Sequence, residues 1–163
     1  SFNTLEIIQS SNGYDPNDST TLALTHNKTH TVNKAGITTD QTVEWKNDYH
    51  LKNCFMAMMP PSKDYTDQYK VNGTETGSTI SRDKAITIEN VTSAVLYSQE
   101  SGVYYEMSIS KYPYYNNGAT FYITNNSGSA NYNKMYYYCC SDKEVTAGTV
   151  WESTTHYSID VTK

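Results

Sequence analysis

The residues best suited to a task in this chain are aromatic. Sixteen Tyr stand beside 2 Trp and 3 Phe in 163 residues. Eleven of the Tyr fall between Tyr97 and Tyr138. Within that window Lys111-Tyr112-Pro113-Tyr114-Tyr115-Asn116-Asn117-Gly118 packs three Tyr into a segment bounded by Pro and Gly. A strand buries only every second side chain, so Tyr104-Tyr105 and Tyr136-Tyr137-Tyr138 must each present Tyr to both faces. Some of these rings therefore meet solvent or a ligand. A flat ring with few rotors stacks well on the C–H face of a pyranose, while Tyr hydroxyls and Asn amides bond its hydroxyls. The candidate ligand-binding residues are Tyr104, Tyr112, Tyr114, Tyr115, Asn116 and Asn117. Trp45 and Trp151 join them. Trp45 shares the phase of Val43 and points toward the core, whereas Trp151 takes the phase opposite Val150, which places it at a rim if Val150 is buried.

Other chemistries leave no signature. The sequence lacks a GxSxG elbow, a P-loop and a GxGxxG turn. His26 and His30 are four apart, about 13 Å along a strand, too far to share a metal. Asp15, Asn17 and Asp18 form a candidate Ca²⁺ loop, but the EF-hand Gly and Glu positions hold Thr20 and His26, and an Asx-rich turn is the better reading. Cys54, Cys139 and Cys140 are an odd number with no zinc spacing, read as free buried thiols, with one bridge to Cys54 as the alternative. Five Asn-x-Ser/Thr sites are what 15 Asn and 39 Ser plus Thr yield by chance. The expectation is a non-enzyme without a cofactor, save a structural Ca²⁺ that sequence leaves open.

The elements that must hold these rings are strands. Val103, Tyr105, Met107 and Ile109 alternate with Tyr104, Glu106, Ser108 and Ser110. Ile86/Ile88, Phe121/Ile123 and Tyr157/Ile159/Val161 repeat the pattern, with Leu5/Ile7 at the start. Turn clusters such as Val71-Asn72-Gly73 and Asn125-Asn126-Ser127-Gly128 separate them. The prediction is all-β, an antiparallel, jelly-roll-like β-sandwich. One exception is weighed near 48–58, where Leu51, Cys54, Phe55 and Met58 also fit a short helix capped by Asp48, though a strand is favoured. Residues 1–163 read as one domain, the alternative being a boundary within the polar stretch 61–84.

A net charge of −5, with Arg82 the one Arg, argues against nucleic acid. No apolar run reaches the ~20 residues of a membrane helix. Abundant Ser, Thr, Asn and Tyr suit an extracellular or bacterial cell-surface location. The segment Ala119–Thr162 resembles the closing strands of jelly-roll carbohydrate-binding modules: Ile123-Thr124-Asn125-Asn126-Ser127-Gly128, a Tyr-rich strand, the Thr146–Thr149 turn and Tyr157–Thr162. The resemblance implies a noncatalytic module of a secreted bacterial polysaccharide-utilisation protein, with its last strand beside its first. The expected ligand is a polysaccharide, α-glucan such as starch or a plant cell-wall glucan, bound by aromatic stacking, and the expected state of the isolated domain is a monomer. The alternative is a phage receptor-binding or adhesin domain recognising a cell surface.

Overall fold

A computed structural model describes residues 3–81, 85–114, 118–124 and 131–162. It contains β1 (Thr4–Asp15), β2 (Asp18–Asn33), β3 (Gly36–Trp45), β4 (Tyr49–Met59), β5 (Gln68–Val71), β6 (Ser78–Thr79), β7 (Ile86–Val91), β8 (Ser93–Ser98), β9 (Val103–Lys111), β10 (Ala119–Thr124), β11 (Lys134–Val145) and β12 (Val150–Val161). One 3-10 turn spans Lys63–Tyr65. The strands form two antiparallel sheets, an eight-stranded one in the order β1-β2-β3-β12-β9-β8-β5-β6 and a four-stranded one in the order β4-β11-β10-β7. The predicted β-sandwich is what the chain builds.

Alternation explains the packing. The inner face of the large sheet contributes Val43, Trp45, Leu96, Met107, Ile109 and Trp151, and the small sheet contributes Ala57, Phe121, Ile123, Met135 and Tyr137. Tyr137 is fully buried and its hydroxyl donates to Met107 O across the sandwich at 3.0 Å. Burying a side chain of this size contributes about 1.5–3 kcal/mol, and its hydroxyl needs the partner it finds.

Tyr49–Met59 is the favoured strand and not the short helix weighed against it, because a ladder to β11 outweighs the helical spacing. Asp48, the proposed helix cap, instead accepts a hydrogen bond from Ala147 N at 2.8 Å. The last strand does not lie beside the first: β12 runs between β3 and β9, and β1 is an edge strand paired with β2. As for the polar stretch from residue 61, β5 pairs with β8 of the large sheet, while Asn133, just ahead of β11, donates to Thr66 O at 2.9 Å.

The unequal sheets matter most for function. The narrower sheet ends at β4, which has β11 as its one neighbour. The inner face of β2 passes this edge, so the sandwich opens there.

Candidate functional site

At that open edge lies a cleft of about 450 Å³, lined by Leu24, His26, Lys28, Gln41, Val43, Trp45, Asn53, Cys54, Phe55, Met56 and Trp151. Strands β2, β3 and β12 supply one wall and β4 the other. The register puts Leu24 opposite Trp45, His26 opposite Val43, and Val43 opposite Trp151. Period-two geometry thus carries the cleft lining across three neighbouring strands.

Its apolar floor is a pair of indoles. Trp45 and Trp151 pack edge to face with ring centroids 5.2 Å apart. Tyr49 extends the group beyond Trp45 at 5.8 Å, and Tyr114 beyond Trp151 at 5.8 Å. Both Trp are more than nine-tenths buried. Among the described residues neither buried indole Nε1–H finds a hydrogen-bond partner. Unpaired buried donors are uncommon in folded proteins, because each forfeits about 1–3 kcal/mol of hydration.

The polar wall is organised by Gln41. Its Nε2 donates to Met56 O at 2.8 Å, tying the large sheet to β4, and to Ser153 Oγ at 3.2 Å. With the amide nitrogen committed, Oε1 faces His26 Nε2 at 3.1 Å. The histidine must then carry its proton on Nε2, which leaves Nδ1 as an acceptor. Burial, followed by repulsion from Lys28, lowers the His26 pKa below its usual 6.5 against the opposing pull of Gln41, so the ring is neutral at pH 7. Lys28 is the one charged lining residue, and no carboxylate joins it among the described residues. The wall therefore offers a neutral imidazole, the Asn53 amide and an ammonium, groups that bond hydroxyls in both directions, with Gln41 as their internal brace.

The sequence-predicted residues distribute unevenly. Trp45 and Trp151 come together at the cleft, and Tyr114 packs on Trp151 outside its lining. The expected phase of β12 is inverted: Val150 is 53% exposed and Trp151 only 5%. The inner phase of that strand is carried by Trp151, Ser153 and Thr155, two of them polar, so hydrophobicity alone pointed the wrong way. Tyr112 is not a surface ligand residue. It lies in the core, accepting from Met56 N at 2.9 Å and Ala57 N at 3.1 Å and donating to Tyr137 O. Tyr104 stacks on Tyr97 at 5.2 Å with Lys70 alongside, on the outer face of the large sheet. Tyr115, Asn116 and Asn117 lie outside the described residues.

Asp15, Asn17 and Asp18 occupy the β1–β2 turn. Asp15 accepts from Asn17 N, and Asp18 from Thr20 N, Thr20 Oγ1 and Thr21 Oγ1. These bonds, that from Thr21 foremost, hold the Asp18 carboxyl down at about 2. The turn thus consumes its own carboxylate oxygens in Asx-type bonds.

His26, Lys28, Gln41 and Asn53 were missed by sequence reading, yet a signal was present. Leu24, His26, Lys28 and His30 share one phase of β2, and an apolar position followed in phase by polar ones marks a face leaving the core. The Tyr run behaves as alternation requires. Tyr137 is buried, while Tyr136 and Tyr138 pack on Tyr122 and the 42% exposed Phe55 on the outside of the small sheet.

No protein-family model matches the sequence, and neither does any curated protein. Solved structures do. The Slr1438 protein from Synechocystis sp. PCC 6803 superposes with a TM-score of 0.55 at 8% identity, over 98% of this chain and 62% of that one. An Escherichia coli K12 protein whose name proposes aldose 1-epimerase activity gives 0.54 at 8% identity, over 99% and 67%. A galactose mutarotase-like protein from Lactobacillus casei ATCC 334 gives 0.56 at 9% identity, over 95% and 70%. This chain spans under two thirds of the first of these proteins. At such identities the likeness is one of fold: this chain shares the β-sandwich of proteins that include a galactose mutarotase-like one.

Proposed function

We propose that this chain binds carbohydrate, holding a segment of a neutral glycan in the cleft between its sheets without covalent chemistry. One observation carries the reading. Two packed indoles floor a cleft whose described walls hold hydrogen-bonding groups and no carboxylate. The exposed margins of the indoles suit sugar C–H groups, while their N–H groups lie buried beneath the cleft surface. About 450 Å³ is ample for one or two pyranose rings on the usual scale of ligand clefts. The names of two fold neighbours, both sugar-related, support the same ligand class.

The titratable groups of the described lining support binding without reaction. Acid–base work on a sugar needs a donor and an acceptor that exchange roles near neutral pH. His26 supplies one such group, and the described lining offers no carboxylate to pair with it. We place the chain outside the cell as a module of a longer protein, where modest affinity gains from multivalency. α-Glucan and plant cell-wall glucan are the substrate classes to try first.

Affinity electrophoresis against starch, xyloglucan, mixed-linkage β-glucan and galactan tests this. Retention by at least one polymer, weakened about 2–10-fold by Lys28→Met or Asn53→Ala as each hydrogen bond is lost, supports the site. Retention by none of a broad panel overturns the function. Turnover of an aldose anomer or a glycan by the protein, lost in His26→Gln, would replace binding with catalysis.

A further inference from the structure

The outer wall of the cleft is a single edge strand, and a pair of cysteines stands where that wall could be fastened. Cys54 of β4 lies directly opposite Cys140 of β11 in the antiparallel register. The two thiols lie close enough to influence each other's ionisation. Register shifts flank Tyr138, leaving Met56 unpaired on β4 and Cys139 unpaired on β11, and the two cancel, so Cys54 and Cys140 keep the register of Ala57 and Tyr137. Cys139 instead packs against the Tyr112 hydroxyl in the core.

We propose that Cys54 and Cys140 are a cross-strand redox pair whose closure to a disulfide fixes β4 as the wall of the cleft. Directly opposed residues hold their Cβ atoms about 4.5–5.5 Å apart, and a disulfide needs about 3.5–4.5 Å. The remaining adjustment falls on β4, an edge strand whose ladder partner in the described sheet is β11. Asn53 and Met56, close to Cys54 on β4, line the cleft, while Phe55 packs on the outer face of the small sheet. Fastening Cys54 therefore fixes the stretch of β4 that completes the site.

The reaction balances as ordinary thiol–disulfide exchange. One thiolate attacks a small-molecule disulfide and expels a thiol, and the second displaces the other half. Two protein thiols become one S–S bond while the oxidant is reduced to two thiols. Burial raises all three thiols, Cys54 and Cys139 to about 12, so exchange is slow at neutral pH and accelerates with pH. The cross-link does not rest on the carbohydrate reading; its consequence for ligand does.

The test uses the full chain with oxidised glutathione at pH 8.5, followed by alkylation under denaturing conditions, intact mass and peptide mapping. The expected product has lost about 2 Da, carries one alkylatable thiol at Cys139, and joins the peptides containing Cys54 and Cys140. Cys54→Ser and Cys140→Ser each abolish the link, and Cys139→Ser keeps it. The bridge closes a loop of roughly 90 residues, so the melting temperature rises about 5–10 °C over the reduced form. Three free thiols after oxidation, a persistent glutathione adduct on Cys54, or a Cys54–Cys139 bridge overturns the proposal. Hydrogen exchange of residues 50–59 reads the wall without any sugar: slower exchange in the oxidised form supports it, and unchanged exchange removes the link to the cleft. If the bridge forms but no glycan binds in either state, the proposed function fails and the redox pair stands.

Discussion

Replacing Gln41 by Leu tests the joint that holds the cleft walls together. The side chain is 7% exposed and makes three contacts: to Met56 O at 2.8 Å, to Ser153 Oγ at 3.2 Å and to His26 Nε2 at 3.1 Å. Leucine keeps much of the volume and removes every bond. Each bond is worth about 1 kcal/mol net, and the stranded Met56 carbonyl and His26 ring add desolvation cost that cleft water partly relieves. The expected loss is about 2–4 kcal/mol. With an m-value of about 2 kcal/mol/M, the urea midpoint falls by about 1–2 M. The melting temperature falls by about 5–15 °C for a chain of this size. A second readout follows the histidine. The Gln41 contact is the one influence raising the His26 pKa, so its NMR titration midpoint moves further down in the variant. A midpoint shift below about 0.3 M would show that the sheets are not joined here. A His26 pKa that rises would refute the bonding pattern itself.

The remaining predictions probe the same geometry from other sides. Tyr112→Phe strands two amide donors of β4 and one carbonyl of β11, costing about 2–4 kcal/mol by urea melt, while glycan retention of the folded variant stays unchanged because the ring is in the core. Gly36 has φ +130°, and a Cβ there would sit 2.1 Å from Tyr157 O, so Gly36→Ala costs about 3 kcal/mol or more and lowers the melting temperature accordingly. His26 is depressed in the folded chain, so the unfolded chain binds more protons below its pKa of 6.5 and stability falls as pH drops through that value. Urea midpoints at pH 7.5 and 5.5 should differ more for the native chain than for His26→Gln. Exposed His50, raised first by its bond to Glu144 and then by Asp142, acts oppositely: its contribution is present below 6.5, fades as pH rises through its folded value, and is screened by salt.

Much of the sandwich was legible because alternation is a local property. Val103–Ile109, Phe121–Ile123 and Ile86–Ile88 announced β9, β10 and β7 without knowledge of their partners. The long β1–β2 hairpin was not legible. Ser11-Asn12-Gly13 reads as a turn, yet these residues continue β1 opposite His26, Thr25 and Leu24, since a ladder already in register tolerates Asn and Gly. The site was half legible. Rare Trp residues pointed to the cleft, but the phase of β12 depends on burying Ser153 and Thr155, which hydrophobicity does not foretell. That Tyr112 would turn inward depends on a pocket of backbone donors from β4, far away in sequence. The opening itself arises because one sheet has eight strands and the other four, a fact of pairing rather than of any segment.

The most direct measurement is a glycan titration of ¹⁵N-labelled protein, following the two indole N–H resonances. Trp45 and Trp151 are the only Trp in the chain, and both floor the cleft, so each signal reports on the site alone. The account predicts that one neutral glycan shifts both resonances along a single saturable curve, matching the affinity measured by retention, and that Lys28→Met weakens both together. Retention on a polysaccharide with both indole resonances unmoved would contradict it, locating the sugar elsewhere on the sandwich.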